Sequence, residues 1–368
     1  MRLPRHVKGR LGYTTGACAA AALKAALLAL RGESPRSVSL TLPVGLEARF
    51  PLHHLSRNGN RAVASVIKDA GDDPDVTHRA EIRVEVSLRP GEGRLSFRAG
   101  EGVGVVTKPG LGIPVGEPAI TKVPRLMMAQ VVEEVLGPEA QALDVEVTVS
   151  IPGGEELAKN TLNARLGIQG GLSILGTKGI VIPYSTAAYK ATIAKSFLVA
   201  RALGLKELVL TTGGRTEAFA QRLWPELSEE AFVQIGDYVK FSLRTARALG
   251  FERLTLAMMI GKFSKVAVGF PQTHAKHGEV PLDFLTETLK ACGAPAEVLE
   301  EARKARTARG VLEIVLKRAP EILAPWAGSL CRRAALAALE LAGGGVTVKT
   351  VLFDFEGKVL AQAEEKGR

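Results

Sequence analysis

The chain of 368 residues is poor in aromatic side chains and cysteine, and it has no long hydrophobic run. Phenylalanine, tryptophan and tyrosine make up 5% of the residues, so aliphatic side chains must build the core. No run approaches the roughly 20 apolar residues that span a bilayer, and no signal-peptide layout follows the basic start of the chain. We therefore expect a cytoplasmic protein without membrane segments. The scattered thiols of Cys18, Cys292 and Cys331 favour neither a disulfide framework nor a zinc site.

Several familiar catalytic motifs are also missing. The chain has no G-x-S-x-G nucleophile elbow, no H-E-x-x-H zinc pattern, no Walker lysine loop and no CxxC pair. It has no G-x-G-x-x-G fingerprint after its first strand, so a dinucleotide is not indicated. These absences exclude the commonest hydrolase, metalloprotease and nucleotide-binding arrangements.

The formal net charge of +10 favours an anionic partner. No long Lys/Arg block, zinc-finger spacing or aromatic–basic interleaving points to nucleic acid, which we do not expect as a partner. A small polycarboxylate or phosphate ligand fits the charge, and a generically basic surface is the alternative.

The apolar patterning predicts more than one domain. Residues 1–150 alternate strand-like segments with Gly-, Asp- and Pro-rich turns and predict an α+β domain. Residues 151–280 alternate apolar strands with helices and predict a Rossmann-like α/β domain with a mainly parallel sheet. Residues 281–368 predict C-terminal helices and a terminal hairpin that pack on the other domains.

The stretch from Gly12 to Ala22 leads into a predicted helix over 17–30 in which only Lys24 is charged. Such a helix is apolar nearly all round and should be buried. Thr14 or Thr15 can cap its start, which is flanked by glycine and free of acidic residues. Unpaired N–H groups at this start would form an anion site, and a well-capped core helix is the alternative.

Four predicted strand ends in the second half carry glycine: Gly176, Gly213, Gly236 and Gly261. Ligands of open parallel sheets bind outside the carboxyl ends of the strands, where glycine lets the backbone come close. Each glycine alone is also ordinary turn chemistry, but four at one edge favour a ligand cleft. Asp237 follows one of these strands and can accept hydrogen bonds from a ribose or an ammonium group, or cap the next helix.

Residues 68–78 form the most polar cluster, with four carboxylates and one histidine. This loop can bind a hard cation, although its spacing differs from the EF-hand, or supply a general base from Asp72, Asp73 or His78. An Asp-rich turn bent by Pro74 is the alternative.

Residues 100–118 predict a long, glycine-rich loop of functional type. Lys108 is its only cation. His274, after the last predicted sheet segment, is interpreted as a surface residue.

Four motifs together resemble one known family, and the resemblance covers almost the whole chain. They lie at 13–22, 66–78, 102–116 and 151–168. In these segments the chain is similar to the CbiD family, the cobalt-precorrin-5B C1-methyltransferases of anaerobic cobalamin biosynthesis. The resemblance is broken near the last sheet segment, where the family commonly has Gly-His-Ile-Gly-Lys. Here Met259 precedes Ile260, so no acid–base role is assigned to that position, while Gly261 and Lys262 are kept.

The resemblance implies methyl transfer from S-adenosyl-L-methionine to C1 of cobalt-precorrin-5B, giving cobalt-precorrin-6A. Cobalt arrives inside the substrate, so no protein metal site is implied. The residues expected to bind the methyl donor are Gly176, Thr177, Gly213, Gly214, Gly236, Asp237, Gly261 and Lys262. Those expected to contact the macrocycle are Thr14, Thr15, Gly16 and Lys108. Asp72, Asp73 and His78 are the candidates for proton transfer.

Two other functions stay open from the sequence: an RNA methyltransferase of the same fold and a non-catalytic corrinoid-precursor-binding protein. A homo-oligomer is also left open.

Overall fold

The computed structural model describes residues 9–367 of a mixed α/β protein with several sheets. The chain divides into two compact units, residues 1–186 and 187–368. This division differs from the expected domain boundaries after residues 150 and 280. Ile168–Gln169 and Ile180–Val181 pair with strands of the first unit, and the C-terminal strands enter the sheet of the second.

Among its described residues, the first unit is built from strands and three α-helices. Its strands are β1 (Gly12–Tyr13), β2 (Ser37–Thr41), β3 (Glu47–Pro51), β4 (His54–Asn58), β5 (Arg61–Ile67), β6 (Glu81–Pro90), β7 (Leu95–Ala99), β8 (Val105–Val106), β9 (Leu143–Ser150), β10 (Ile168–Gln169) and β11 (Ile180–Val181). Its helices are α1 (Thr15–Leu30), α2 (Lys122–Leu136) and α3 (Gly154–Ala158).

The main sheet of this unit has the strand order β4-β5-β6-β9-β7. Its pairs are antiparallel except for β7 beside β9. Every second residue of the central strands is buried, because one face carries the core. On β6 and β9 these residues are Ile82, Val84, Val86, Val145, Val147 and Val149.

Helix α1 is the centre of the first core. Thirteen of its sixteen residues are buried, as its nearly uniform apolar sequence predicts. It packs on β5, β6 and α2. Its charged Lys24 pairs with Glu134 of α2 and donates to the carbonyl oxygen of Ser39. The alanines let the neighbouring elements approach α1 from several sides.

The second unit contains eight helices and five strands among its described residues. The helices are α4 (Thr186–Ala202), which begins at the division, α5 (Gly214–Leu223), α6 (Val239–Ala248), α7 (Ile260–Ala267), α8 (Leu282–Ala291), α9 (Ala296–Lys304), α10 (Ala308–Arg318) and α11 (Leu323–Ala342). The strands are β12 (Glu207–Thr211), β13 (Phe232–Gln234), β14 (Arg253–Met259), β15 (Thr347–Phe353) and β16 (Val359–Lys366).

The strands of this unit form one sheet in the order β13-β12-β14-β15-β16. Four neighbouring strands are parallel, and β16 returns antiparallel to β15. β15 and β16 form the predicted terminal hairpin, and β15 also pairs with β14 along its whole length, so that the hairpin belongs to this sheet. The last four residues of β15, from Thr350 to Phe353, are all buried, as expected for a strand covered on both faces.

Among the described residues, none of the helices has the length and apolar character needed to cross a membrane.

The three thiols differ in burial. Burial raises the pKa of Cys18 and of Cys331 to about 12, while Cys292 is only half-buried. Because the thiolate is the form that is alkylated, we expect iodoacetamide at pH 8 to modify Cys292 alone in the folded protein and all three in urea. Peptide mass mapping checks this, and rapid modification of Cys18 without denaturant would contradict the buried position of α1.

Candidate functional site

The carboxyl ends of three parallel strands in the second unit bring six of the predicted donor-binding residues to one edge. Thr211 of β12 pairs in register with Gln234 of β13 and Ala257 of β14. The turns that follow these strands therefore begin side by side. Of the predicted residues, Gly213, Gly236 and Asp237 lie in these connections, and Gly214, Gly261 and Lys262 lie in the first turns of the helices α5 and α7 that follow.

The Gly213–Gly214 turn is open. Gly213 has φ 165° and ψ 176°, an extended backbone that any residue adopts, and it precedes the first turn of α5. A Cβ atom on Gly213 would meet no other atom within 4 Å, and one on Gly214 would lie 3.8 Å from Nε2 of Gln234. The fold thus gives no steric reason for either glycine, and the backbone here is approachable from outside.

Asp237 is held by two side chains. Its Oδ1 accepts a hydrogen bond from Oγ1 of Thr273 at 2.7 Å and lies 2.9 Å from Nζ of Lys262. Burial raises the pKa of Asp237, but the hydrogen bonds from Lys262 and Thr273 outweigh it and leave the pKa below its ordinary value. Its side chain does not cap α6, which excludes the capping alternative. The ionised carboxylate of Asp237 has further lone pairs with which it can accept hydrogen bonds at this edge.

Two tyrosines flank the Gly236 turn. The rings of Tyr189 and Tyr238 lie 5.4 Å apart, and Lys190 sits over the ring of Tyr238. Burial, followed by the charge of Asp237, raises the pKa of Tyr189. Gly236 has φ 57°, and a Cβ there would lie 2.9 Å from the Tyr189 hydroxyl, so glycine is required.

Three further polar side chains near this edge, Tyr189, Glu217 and Gln234, were not predicted from the sequence. Nε2 of Gln234 donates to Oε2 of Glu217 at 2.7 Å, and Glu217 is buried in the first turn of α5. The only feature of the sequence that distinguishes Tyr189 is the scarcity of tyrosine, since the chain has four tyrosines.

Gly176 and Thr177 do not belong to this edge, which corrects their placement. The apolar run 172–175 is no strand of the parallel sheet. It makes isolated bridges from Leu172 to Val103 and from Ile174 to Ile120 within the first unit. A Cβ on Gly176 would lie 2.4 Å from Cβ of Thr14, so this glycine serves close packing against the start of α1.

The start of α1 is also not an open anion site. Oγ1 of Thr14 accepts from the N–H of Ala17 at 3.2 Å, and the N–H of Gly16 donates to the carbonyl oxygen of Leu175 at 3.0 Å. Thr14, Thr15 and Gly16 are all buried. The expectation of free N–H groups facing a ligand is therefore wrong, and the capping alternative is confirmed for Thr14.

Thr15 holds the segment around Leu175 against α1. Its hydroxyl accepts from the N–H of Leu175 at 2.9 Å. Thr15→Val keeps the shape and leaves that N–H unpaired, so we expect a loss of about 1–3 kcal/mol in the free energy of unfolding. Urea titration measures this, with Thr192→Val on α4 as the control for the substitution itself. Equal stability of Thr15→Val and the unaltered chain would contradict this contact.

The three candidates for proton transfer each bind a backbone N–H group. Oδ2 of Asp72 accepts from Arg10 at 2.6 Å, and Oδ1 of Asp73 accepts from Tyr184 at 2.9 Å. Nδ1 of His78 accepts from Ala70 at 3.1 Å, so a neutral His78 carries its proton on Nε2. Asp72 and His78 are exposed and Asp73 is half-buried.

The remaining acids of this loop are also engaged. Nζ of Lys68, which is 1% exposed, lies 2.8 Å from Oδ2 of Asp75. The hydrogen bond from Arg10 is the largest cause that lowers the pKa of Asp69 to about 2. Within residues 9–367 no group of three or more His, Cys, Asp or Glu side chains is arranged to hold a metal ion.

Lys108 lies half-buried in the glycine-rich loop. Its Nζ donates to the carbonyl oxygen of Arg165 at 3.2 Å, and its stem packs on Gly167. His274 accepts from the N–H of Lys276 and caps a short turn. The structure thus places Lys108, the acidic loop and the start of α1 in the first unit, and the parallel sheet with its donor-binding candidates belongs to the second.

Comparison with known proteins identifies the family to which this chain belongs. A family model described as CbiD matches residues 3–183, and one described as CbiD, C-terminal domain, matches residues 272–364. A Thermus thermophilus protein named cobalt-precorrin-5B C(1)-methyltransferase is 54% identical over 87% of this chain and 85% of its own length. A protein of the same name from Priestia megaterium is 46% identical over 98% of this chain and 97% of its own. A crystal structure of a cobalamin biosynthesis protein from Archaeoglobus fulgidus is 26% identical, with a TM-score of 0.39, over 69% of this chain and 78% of that one. The sequence matches extend over both units, and the chain belongs to the CbiD family.

Proposed function

We propose that this chain transfers the methyl group of S-adenosyl-L-methionine to C1 of cobalt-precorrin-5B and so forms cobalt-precorrin-6A. The observation that carries this proposal is the 46% identity over 98% of the chain to a protein named for that reaction. The reaction takes place in the cytoplasm, without nucleic acid as a partner.

The donor lies at the carboxyl edge of the Rossmann-like parallel sheet in the second unit. Two observations support this fit: the open Gly213–Gly214 turn, and the carboxylate of Asp237 fixed by Lys262 and Thr273. Asp237 accepts a hydrogen bond from a hydroxyl or ammonium group of the donor, and Gly213 lets the backbone approach it.

The task of the protein in this reaction is orientation. The donor's sulfonium supplies an electrophilic methyl group. The residues at the sheet edge hold the donor in one position, and alignment of the reacting atoms lowers the barrier without a strong acid or base. Asp72, Asp73 and His78 hold backbone N–H groups, which supports a role in shaping the acidic loop.

The macrocycle is anionic because of its acetate and propionate arms, and the net charge of +10 attracts it. We place it on the first unit, at the acidic loop and the glycine-rich loop around Lys108. Thr14 caps α1, and Thr15 and Gly16 bind the backbone of Leu175, so these three residues have a structural role at the start of α1. Cobalt enters as part of the substrate.

Incubation of the purified chain with cobalt-precorrin-5B and donor tests the proposal. Mass spectrometry should show a gain of one methyl group that depends on both substrates. Thermal shifts with S-adenosylmethionine and its demethylated product separate the alternatives, because a corrinoid carrier would bind the macrocycle but not the donor. Methylation of RNA in place of the macrocycle, with salt-sensitive binding, would overturn the proposal.

A further inference from the structure

Tyr184 has an unusual backbone conformation for a tyrosine. Its φ is 53°, and within residues 9–367 it shares a positive φ with only one other non-glycine residue, Arg79. A side chain in this left-handed region is disfavoured by contact of Cβ with the backbone. Such outliers persist where the surroundings impose them, and they concentrate at functional sites.

The side chain of Tyr184 is also the most exposed of the large hydrophobic side chains described, at 78%. Nothing in the first core requires it. An aromatic ring held out in solvent contributes to binding when a ligand covers it, because its two torsions cost little to immobilise.

The contact that holds this residue comes from the acidic loop. The N–H of Tyr184 donates to Oδ1 of Asp73 at 2.9 Å. Asp72, the next residue, accepts from the N–H of Arg10, so the loop fixes two distant segments of the chain at neighbouring positions. Asp73 thereby sets the position of the Tyr184 backbone and of its exposed ring.

The surface around Tyr184 has exposed apolar as well as charged side chains. The loop that holds Tyr184 also exposes the apolar Val76, at 38%, and the guanidinium of Arg10 lies at its edge beside Asp69. A tetrapyrrole presents an apolar ring face, and the exposed ring of Tyr184 offers an apolar surface complementary to it.

We infer that Tyr184 contacts the ring face of the tetrapyrrole substrate and that Asp73 is a positioning residue that acts through the Tyr184 backbone. This inference rests on the proposed function for the identity of the substrate. It assigns to Asp73 a hydrogen bond to the backbone in place of proton transfer.

Substitutions at Tyr184 test the ring contact. Tyr184→Gly suits the left-handed backbone and removes the ring, so the protein should be at least as stable as the unaltered chain. We expect its KM for cobalt-precorrin-5B to rise about tenfold, with kcat and the KM for the donor within about twofold. Tyr184→Phe should restore the KM. Leu336→Ala on α11, which removes another exposed apolar side chain, is the matched control.

Substitutions at Asp73 separate positioning from proton transfer. Asp73→Asn keeps an oxygen that can accept from Tyr184 and loses the carboxylate, so it should restore most of the affinity that Asp73→Ala loses. A kcat abolished equally in both variants, or a pH profile lost in Asp73→Asn, would make Asp73 a catalytic acid or base and overturn the positioning role.

An absorbance titration of the macrocycle without donor distinguishes the two levels of failure. If the unaltered chain binds cobalt-precorrin-5B and transfers no methyl group, the proposed function fails while the titration of Tyr184→Gly still tests the contact. If Tyr184→Gly binds the macrocycle with unaltered Kd, the inference is overturned and the proposed function stands.

Discussion

Replacing Gly213 with valine is expected to weaken donor binding at least about 100-fold, or about 2.8 kcal/mol, without loss of stability. The backbone at Gly213 is extended, and an added Cβ meets no protein atom within 4 Å. The fold therefore accepts valine, and only a ligand in that space would collide with it. Gly214→Val should act in the same direction.

Gly328→Val provides the matched control, since a Cβ at Gly328 also meets no atom within 4 Å. Gly328 lies within helix α11, which is not part of the proposed donor site. Calorimetric titration with S-adenosylmethionine and its demethylated product measures the effect. Unchanged affinity in Gly213→Val and Gly214→Val would remove this turn from the donor site.

Replacing Asp75 with alanine is expected to reduce the free energy of unfolding by about 3–5 kcal/mol. The substitution leaves the ammonium group of Lys68, which is 1% exposed, without its carboxylate partner. It also removes the acceptor for the N–H and hydroxyl groups of Thr77. Urea unfolding followed by circular dichroism provides the measurement.

A double-mutant cycle identifies the buried charge as the cause. Lys68→Met combined with Asp75→Ala should recover part of the loss, because no charge is then buried alone. A double variant as unstable as the sum of the single variants would show that the ion pair contributes nothing.

The same pair makes stability depend on pH. Burial raises the pKa of Asp75, but the charge and hydrogen bond of Lys68 and the hydrogen bonds of Thr77 leave it below its ordinary value of 3.8. Its stabilising contribution is therefore complete above about pH 4 and is lost as the pH falls through the lower folded pKa. As the pH falls over that range, the difference in the free energy of unfolding between Asp75→Asn and the unaltered chain should become smaller.

Much of the fold could be predicted from local patterns. Helix α1 follows from an apolar run with a threonine cap, and β5 and β6 follow from alternating side chains bounded by turn residues. The strand–turn–helix rhythm placed the glycines after β12, β13 and β14 at one edge, because parallel strands end together.

The predictions that were wrong concern segments whose contact partners lie far away in the sequence. The run at 172–175 resembles a short strand, yet its bridges lie in the first unit, and a single apolar run does not identify its neighbour. At the start of α1 the N–H of Gly16 donates to the carbonyl oxygen of Leu175, and the N–H of Leu175 donates to the Thr15 hydroxyl, about 160 residues away, which no local pattern reveals. Likewise the hydrogen bond from Tyr184 to Asp73 follows only from the folded chain.

A donor whose methyl group is labelled with heavy carbon provides the most direct test of the proposed methyl transfer to C1. The purified chain is incubated with cobalt-precorrin-5B, and the product is examined by nuclear magnetic resonance. We expect one labelled methyl group, bonded to C1 of the macrocycle. A label at another ring carbon, or an unlabelled macrocycle recovered after complete binding, would contradict it.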